Sequence, residues 1–263
     1  MKQEIHWSVR LVAIVFGLFF LPVGCMVATH YGTDGGSYSR FSRNHSTMQA
    51  PDADSEEAVI QVYAARAARW RGAFGVHSWI STKRTNERQY TRLEVIGYRA
   101  YYGGNAVRVR GGNPDGMWFG NRPTLLREIR GGERVNKLID TLLAAAESYP
   151  YDTTYQVWPG PNSNTFIAYL ARKVPQLRLE MPATAIGKDY LPHGALVGAT
   201  PSGTGLQLSV RGYAGILAGI EEGLEINLFG LSAGIDLLPP AIKLPGIGRL
   251  GFSDTKKIVI SEN

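Results

Sequence analysis

The pattern of hydrophobic and polar positions divides the chain into four segments. An uncharged apolar run, LVAIVFGLFFLPVGCMVA, occupies residues 11–28, and the following stretch to residue 57 is polar and shows no period. From Ala58 onward, β-branched and aromatic runs are mixed with stretches of helical spacing, and beyond residue 200 the runs are short and punctuated by glycine. This predicts a membrane anchor or signal segment over 1–29, a flexible linker over 30–57, an α+β core over 58–200 and a Gly-rich β-strand extension packed on that core over 201–263.

The apolar run near the N-terminus predicts a transmembrane helix, because ~18 apolar residues are close to the minimum that crosses a bilayer core. Lys2 and Arg10 precede it, which favours an N-terminus inside the cell. We therefore expect a single pass through a bacterial membrane, with the bulk of the chain periplasmic or otherwise extracytoplasmic. Two alternatives stay open. One is a lipoprotein signal ending at Cys25, although Pro22 stands where a branched apolar residue is needed, and the other is a cleaved secretory signal.

The middle of the chain carries the strongest secondary-structure signals. The runs AVIQVYAARA, AFGVHSWISTK, YTRLEVIGYRAYY and AVRVR predict strands, and the polar RTNERQ between the second and third predicts a hairpin loop. Helical spacing of apolar residues predicts one helix in GERVNKLIDTLLAAAESYP and a second in NSNTFIAYLARKVP, each ended by a proline. The predicted fold class is α+β, with an antiparallel sheet and two main helices.

The tail contains an internal repeat. Residues 205–212, GLQLSVRG, align with residues 223–230, GLEINLFG, and apolar residues alternate in both copies. Period two selects one buried face, so the copies predict two glycine-punctuated strands of a hairpin or curved sheet. The alternative is a surface that touches lipid.

Composition removes several function classes. The 28 Lys and Arg against 22 Asp and Glu give a net charge of +6, but they are scattered, so no nucleic-acid partner is predicted. Cys25 is the single cysteine, which excludes an intramolecular disulfide and a cysteine nucleophile in the folded region. The five histidines lie far apart in the sequence without a ligand-spaced partner, so we predict neither a metal site nor another cofactor.

Two residues suggest chemistry. His77 lies in an extended run between apolar neighbours, where a strand would hold its ring rigidly. Ser163 opens a predicted helix, where backbone N–H groups and the helix dipole favour a developing oxyanion. A base on a strand and a nucleophile at a helix start make a sensible pair. The alternatives are a hydrogen-bonded core histidine and a serine that only caps the helix.

Nearly everything after the linker resembles an uncharacterised bacterial family of unknown function, DUF3750, on the runs VIQVYAARAARWRGAFGVHSWI, RLEVIGYRAYYGG and WPGPNSNTFIAYLARKVPQLRLEMPATAIGKDYLP and the repeated glycine strands after them. A more distant similarity is to circularly permuted NlpC-type papain-like proteins. It rests on three features in the same order: His77-Ser78, the Tyr-rich glycine turn 101–104, and the Asn-Ser-Asn-Thr-Phe turn at 162–166.

The papain-like resemblance implies a permuted papain-like core with His77 as general base. Ser163 would occupy the position of the family's nucleophilic cysteine, and Glu94 on the neighbouring strand is the candidate for orienting the imidazole. The alternative for Glu94 is an ion pair with Arg92 or Arg99. Asn162, Asn164 and Trp158 near the turn are the candidates for substrate binding. Serine needs stronger assistance from a base than a thiol does, and this departure from the family pattern keeps a second function open.

The expected function is therefore a hydrolase or acyltransferase acting on amide or ester bonds of envelope material, in a membrane-tethered envelope protein. The alternative is a non-catalytic envelope binding or scaffold module with a degenerate papain-like pocket. The expected partners are an envelope peptide, lipid or glycan ligand, and the membrane through the N-terminal segment.

Overall fold

This computed structural model of the protein describes residues 2–33 and 45–261. They contain two β-sheets and four α-helices. The helices are α1 (Lys2–Thr33), α2 (Gly97–Tyr101), α3 (Glu133–Glu147) and α4 (Ser163–Lys173). The strands are β1 (Ala58–Arg66), β2 (Val76–Lys83), β3 (Thr91–Val95), β4 (Val107–Gly111), β5 (Thr124–Gly131), β6 (Val197–Ala199), β7 (Gly205–Val210), β8 (Ala214–Gly219), β9 (Gly223–Leu228), β10 (Leu231–Leu237), β11 (Pro240–Leu244), β12 (Gly248–Gly251) and β13 (Lys256–Ile260). The fold is α+β and rich in antiparallel pairing, as predicted.

The first sheet has six strands in the order β13-β5-β1-β2-β3-β4. All neighbours are antiparallel except β13, which runs parallel to β5 and brings the end of the chain back to this sheet. Strand β5, TLLREIRG, is not among the strands that the sequence predicts. Its charged side chains conceal its alternation, yet Ile129 is fully buried and Glu128 is nearly so.

One face of the first sheet carries the main hydrophobic core. Ile60, Val62, Ile80 and Leu93 point to this face and are fully buried beneath α3 and α4. Both helices lie where the apolar spacing predicts them. Each turns its apolar stripe to the sheet, since apolar residues three and four apart share one side of a helix.

The second sheet has seven antiparallel strands in the order β12-β11-β10-β9-β8-β7-β6. The two repeat copies become β7 and β9, which flank β8 rather than pairing with each other. Each copy ends in a tight turn with two consecutive positive φ angles, Arg211-Gly212 and Phe229-Gly230. Glycine is needed at residue 230 for two reasons: the φ angle there is positive, and a Cβ would lie 2.7 Å from Nε1 of Trp158.

The polarity of the second sheet is the reverse of the usual arrangement. The alternation predicted from the sequence is present, but polar residues such as Gln207, Ser209, Glu225 and Asn227 are on the buried face. The exposed face carries the apolar side chains Leu206, Leu208, Val210, Ile216, Leu224, Ile226, Ile235, Leu237, Ile242 and Leu250.

The expected transmembrane helix is not found. Over the described ranges of the chain, no helix is long and apolar enough to cross a membrane. The apolar run forms part of α1, which contains Pro22. On this helix Phe19 and Val23 are buried, and the Val23 backbone approaches the turn at Gly246. Part of the run therefore packs on the protein itself.

The predicted linker spans segments of different kinds. Residues 30–33 continue α1, and residues 34–44 lie outside the described residues. From residue 45 the chain is hydrogen-bonded to the fold through Asp115. This fully buried carboxylate accepts from Ser46 Oγ at 2.7 Å, from Thr47 Oγ1 at 3.1 Å and from the Gln49 N–H at 2.6 Å.

Candidate functional site

A cavity of about 450 Å³ opens where β2 begins and α4 begins. His77 and Ser163 both line it, so the two residues singled out by the sequence share one chamber. The first sheet, the start of α4 and the turn between β9 and β10 all contribute to the wall. The other lining residues are Ala67, Ala68, Trp70, Arg71, Phe74, Gly75, Val76, Trp118, Phe119, Tyr155, Val157, Trp158, Asn162, Asn164, Ile186, Phe229 and Leu231.

The start of α4 is fixed by Asn162. Its Oδ1 accepts from the backbone N–H of Asn164 at 2.9 Å and of Thr165 at 3.2 Å, while the Asn162 N–H donates to Thr165 Oγ1 at 3.1 Å. This reciprocal capping box satisfies N–H groups that a helix start otherwise leaves unpaired. Gly187 makes room for it, because a Cβ there would lie 2.5 Å from the Asn162 amide.

Asn164 ties the helix start to the strand that carries His77. Its Nδ2 donates to the Val76 carbonyl at 3.0 Å, and its Oδ1 accepts from Ser78 Oγ at 2.8 Å. These contacts lie on either side of His77 in the sequence, so they hold Ser163 and His77 at the same end of β2. The side-chain amides of Asn162 and Asn164 are thus engaged in structure, although both residues line the cavity.

Ser163 is the first residue of α4 and is 5 % exposed. In the described part of the chain, neither its hydroxyl nor its backbone N–H makes a hydrogen bond. The capping box occupies the N–H groups of Asn164 and Thr165, so the N–H of Ser163 is the unengaged donor at this helix start. A hydroxyl and an N–H on one residue at the positive end of a helix dipole suit attack on a carbonyl and binding of the resulting oxyanion.

Glu94 lies beside His77. His77 Nε2 is 3.3 Å from Glu94 Oε2, and both side chains are buried. The pairing of β2 with β3 joins Ile80 to Leu93, and the same register brings residue 79 opposite residue 94. His77 and Glu94 therefore share a face by strand parity, on the side opposite the main core.

Two arginines also hold Glu94. Arg92 Nη2 lies 2.9 Å from Oε2, and Arg108, directly opposite Glu94 on β4, contacts Oε1. Of the two ion-pair partners considered for Glu94 from the sequence, Arg92 contacts it, whereas Arg99 donates to the Asn105 carbonyl instead.

The charges of this group follow from burial and contacts. Burial alone would raise the pKa of Glu94, but the hydrogen bond from His77 and the charges of Arg92 and Arg108 outweigh it and lower the pKa to about 2. Burial lowers the pKa of His77 despite the carboxylate beside it. At neutral pH we therefore expect an ionised Glu94 and a neutral imidazole. Nε2 then carries the proton toward Glu94, and the lone pair resides on Nδ1.

Trp118 fixes the plane of the imidazole. The two rings stack with centroids 3.7 Å apart at 13°, and the Trp79 ring is also stacked, with its centroid 5.8 Å from that of His77. Trp118 lies in the loop GNPDGMWFGNRP between β4 and β5, and it is not among the candidate residues that the sequence suggests. The available signal was a Trp-Phe pair inside a Gly-rich stretch, which has no period to explain it.

Trp158, the third candidate for substrate binding, is 45 % exposed at the cavity wall. Its Nε1 donates to the Phe229 carbonyl at 2.6 Å, and its ring meets Tyr213 edge to face. Trp158 thus joins the site to the second sheet. Across the described residues, no group of three or more His, Cys, Asp or Glu side chains could hold a metal ion.

The loop before the second sheet is fastened by Lys188 and Asp189. Lys188 pairs with Glu225 on β9. The Asp189 carboxylate accepts from Asn227 at 2.7 Å, and its carbonyl accepts from Gln207 at 3.0 Å. The buried polar face of the second sheet therefore holds the loop that also supplies Ile186 to the site.

The fold and site define an α+β protein in which a buried His-Glu pair and a helix-start serine face one cavity. A family model described as a protein of unknown function (DUF3750) matches residues 57–190, so the chain belongs to this family. The matched region contains His77, Glu94 and Ser163. No curated protein and no solved structure matches the chain.

Proposed function

We propose that the protein is a hydrolase or acyltransferase that acts on amide or ester bonds, with His77 as general base and Ser163 as nucleophile. The observation that carries the proposal is the shared cavity, where a neutral His77 held by Glu94 lines the same chamber as the unengaged Ser163 hydroxyl. The similarity to permuted papain-like proteins, with serine in the cysteine position, supports the same roles.

In the proposed reaction, His77 Nδ1 takes the proton of the Ser163 hydroxyl while the oxygen attacks the substrate carbonyl. The Ser163 N–H donates to the oxyanion. The bond to the leaving group then breaks, the leaving group receives the proton from His77, and an acyl-serine remains. Water completes hydrolysis, or a second nucleophile completes transfer, by the same route.

Glu94 acts as a positioning residue in this scheme. As a buried carboxylate it accepts from Nε2–H, which selects the tautomer that leaves Nδ1 free and stabilises the imidazolium formed during attack. The mostly apolar and aromatic wall of the cavity suits the acyl part of a substrate and excludes water from the reacting atoms.

A non-catalytic binding module is the second candidate. The observation that favours it is the absence of a hydrogen bond between His77 and the Ser163 hydroxyl among the described residues, because a serine needs the base to become nucleophilic. The same aromatic chamber would then hold a ligand without cleaving it.

Labelling with a fluorophosphonate probe separates the two candidates. We expect the wild-type protein to be labelled on Ser163, and Ser163→Ala and His77→Ala to be unlabelled. Ser253→Ala is the matched control, since Ser253 is exposed and does not line this cavity. Peptide mapping by mass spectrometry identifies the labelled residue.

Absence of labelling on the folded wild-type protein, or labelling that persists in Ser163→Ala, would contradict the catalytic proposal. The double variant Ser163→Cys with Cys25→Ser adds a second measurement, because a thiol needs less help from a base. If His77 serves as base, iodoacetamide should modify the thiol of this double variant faster than the thiol of a triple variant that also carries His77→Ala.

A further inference from the structure

A second cavity, of about 300 Å³, lies on the other side of His77. Its wall shares His77, Trp118, Phe119 and Tyr155 with the first cavity. The imidazole therefore stands between two chambers, one that reaches Ser163 and one that does not. The charged residues among the described lining of the second chamber are Arg92, Arg108 and Arg110.

The register of β3 and β4 gathers these arginines. Arg92 is directly opposite Arg110, and Glu94 is directly opposite Arg108. The side chains of these three arginines and Glu94 share one face of the sheet. With His77 neutral, the group therefore has a net charge of two positive units, because a single carboxylate balances only one of the three guanidinium charges. Like charges directly opposite each other on neighbouring strands are unfavourable without a counter-ion between them.

Two guanidinium donors in this cluster, Nε of Arg92 and Nε of Arg108, are buried without a hydrogen bond. Arg92 is 8 % exposed, and its guanidinium lies over the Trp79 ring at 4.0 Å, so its position is fixed by stacking. Its Nη2 forms an ion pair with Glu94 Oε2 at 2.9 Å, so this end of the guanidinium already has a partner. Buried donors of this kind are normally satisfied by a partner.

We propose that this arginine-lined chamber binds an oxyanion, a carboxylate or a phosphate, carried by the substrate. The excess positive charge and the unpaired donors match such a group, because guanidinium pairs oxyanions through directed, charge-assisted hydrogen bonds. The assignment of the anion to a substrate rests on the proposed function, whereas anion binding itself does not. With the anion on one side of His77, the carbonyl to be attacked lies on the other side, next to Ser163.

The arrangement predicts discrimination against neutral substrates. A neutral group in the arginine chamber would leave the buried donors unpaired, and sites built around polar groups reject ligands that lack the matching partner. Arg110 is exposed and makes no ion pair with another described residue, so it can meet an entering anion without breaking an internal contact.

Isothermal titration of the full-length protein with glutarate, inorganic phosphate and the neutral glutaramide tests anion binding at constant ionic strength. We expect saturable binding of glutarate, phosphate or both, and none of glutaramide. Arg110→Gln should weaken the binding about tenfold or more, as expected for loss of a charge-assisted hydrogen bond. Arg88→Gln is the matched control, because the Arg88 side chain is 84 % exposed and does not line the chamber.

The test has distinct outcomes. Binding of glutarate alone assigns the chamber to carboxylates, and binding of phosphate alone assigns it to phosphates. Binding of neither anion, or equal binding by wild type and Arg110→Gln, overturns the proposal. Anion binding without fluorophosphonate labelling of Ser163 would refute the catalytic function and support the anion site. Labelling of Ser163 without anion binding would support the catalytic function and refute the anion site.

Discussion

The two sheets of this protein bury opposite kinds of side chain. In the first sheet, Ile80 and Leu93 face α3 and α4 in an apolar core. In the second sheet, the buried face carries Glu225, Lys243 and Asp236, and the apolar side chains point outward. Alternation along a strand therefore specifies two faces, while the partners available across each face decide which one is buried.

The buried face of the second sheet is an ion-pair network rather than a set of isolated charges. Glu225 pairs with Lys188 and, at 2.9 Å, with Lys243, and Arg249 reaches Asp236 at 2.7 Å. Burial would raise the pKa of Glu225, but the two lysines outweigh it and lower the pKa, so the carboxylate is ionised. Such networks are favourable only when each member is paired.

The largest effect that we predict comes from removing one member of this network. Glu225→Gln removes the carboxylate that buried Lys188 contacts directly, and breaking a buried pair in this way costs about 3–5 kcal/mol of unfolding free energy. Urea denaturation at neutral pH measures it. The neighbouring exposed Leu224, changed to Thr, is the matched control and should differ from wild type by less than about 0.5 kcal/mol.

Adding Lys188→Met to Glu225→Gln should recover part of the loss, because it removes the buried charge that has lost its direct ion-pair partner. A Glu225→Gln variant as stable as the wild type would mean that the network does not hold the second sheet to the loop that carries Lys188. The buried polar face of the second sheet would then contribute little to the stability of the fold.

Local sequence signals account for the parts of the fold that could be predicted. The strands β1 to β4 lie in β-branched and aromatic runs, and the helices α3 and α4 have apolar residues at a period of 3.6. Strand β5 was missed because Arg127, Glu128 and Arg130 interrupt its apolar pattern, and all three have partners elsewhere in the fold. The parallel pairing of β13 with β5 is a long-range contact that leaves no local signal.

The sequence indicates some residues of the candidate site but not how all of them come together. His77 and Ser163 stand out in the sequence by residue type and position, whereas the facing of Glu94 toward His77 depends on the register of β2 and β3, which the sequence does not fix. The contribution of Arg108 depends on the register of β4, and that of Trp118 depends on how a long loop folds back over the sheet. Neither can be inferred from spacing along the chain.

Acid should weaken the charged cluster around Glu94 on the first sheet. The pKa of Glu94 is lowered from 4.5 to about 2 in the folded protein, so its ionised form stabilises the fold above pH 4.5. This contribution, about 3 kcal/mol at neutral pH, is lost as the pH falls from about 4.5 toward 2. His77, whose pKa is also lowered, adds a loss of the same sign below its usual range.

The measurement is the difference in unfolding free energy between wild type and Glu94→Gln at several pH values. We expect the difference to be large at pH 7 and to shrink below pH 4.5. Glu87→Gln, in the exposed β2–β3 loop, is the matched control for the same change of residue type. A difference that stays constant between pH 7 and pH 3 would contradict the account of Glu94 as an ionised, paired carboxylate.

The smallest predicted effect lies on the outer face of the second sheet. Leu208 is 55 % exposed, whereas Leu93 on the first sheet is fully buried. Leu93→Ala should cost about 2–5 kcal/mol, since it removes buried methyl groups and leaves a cavity. Leu208→Ala should change the unfolding free energy by less than about 0.5 kcal/mol, because little apolar surface is buried there. Because the substitution is the same on both strands, any difference between the two losses of unfolding free energy reflects the surroundings of each leucine. Equal losses at both positions would show that the outer face is covered by protein in solution.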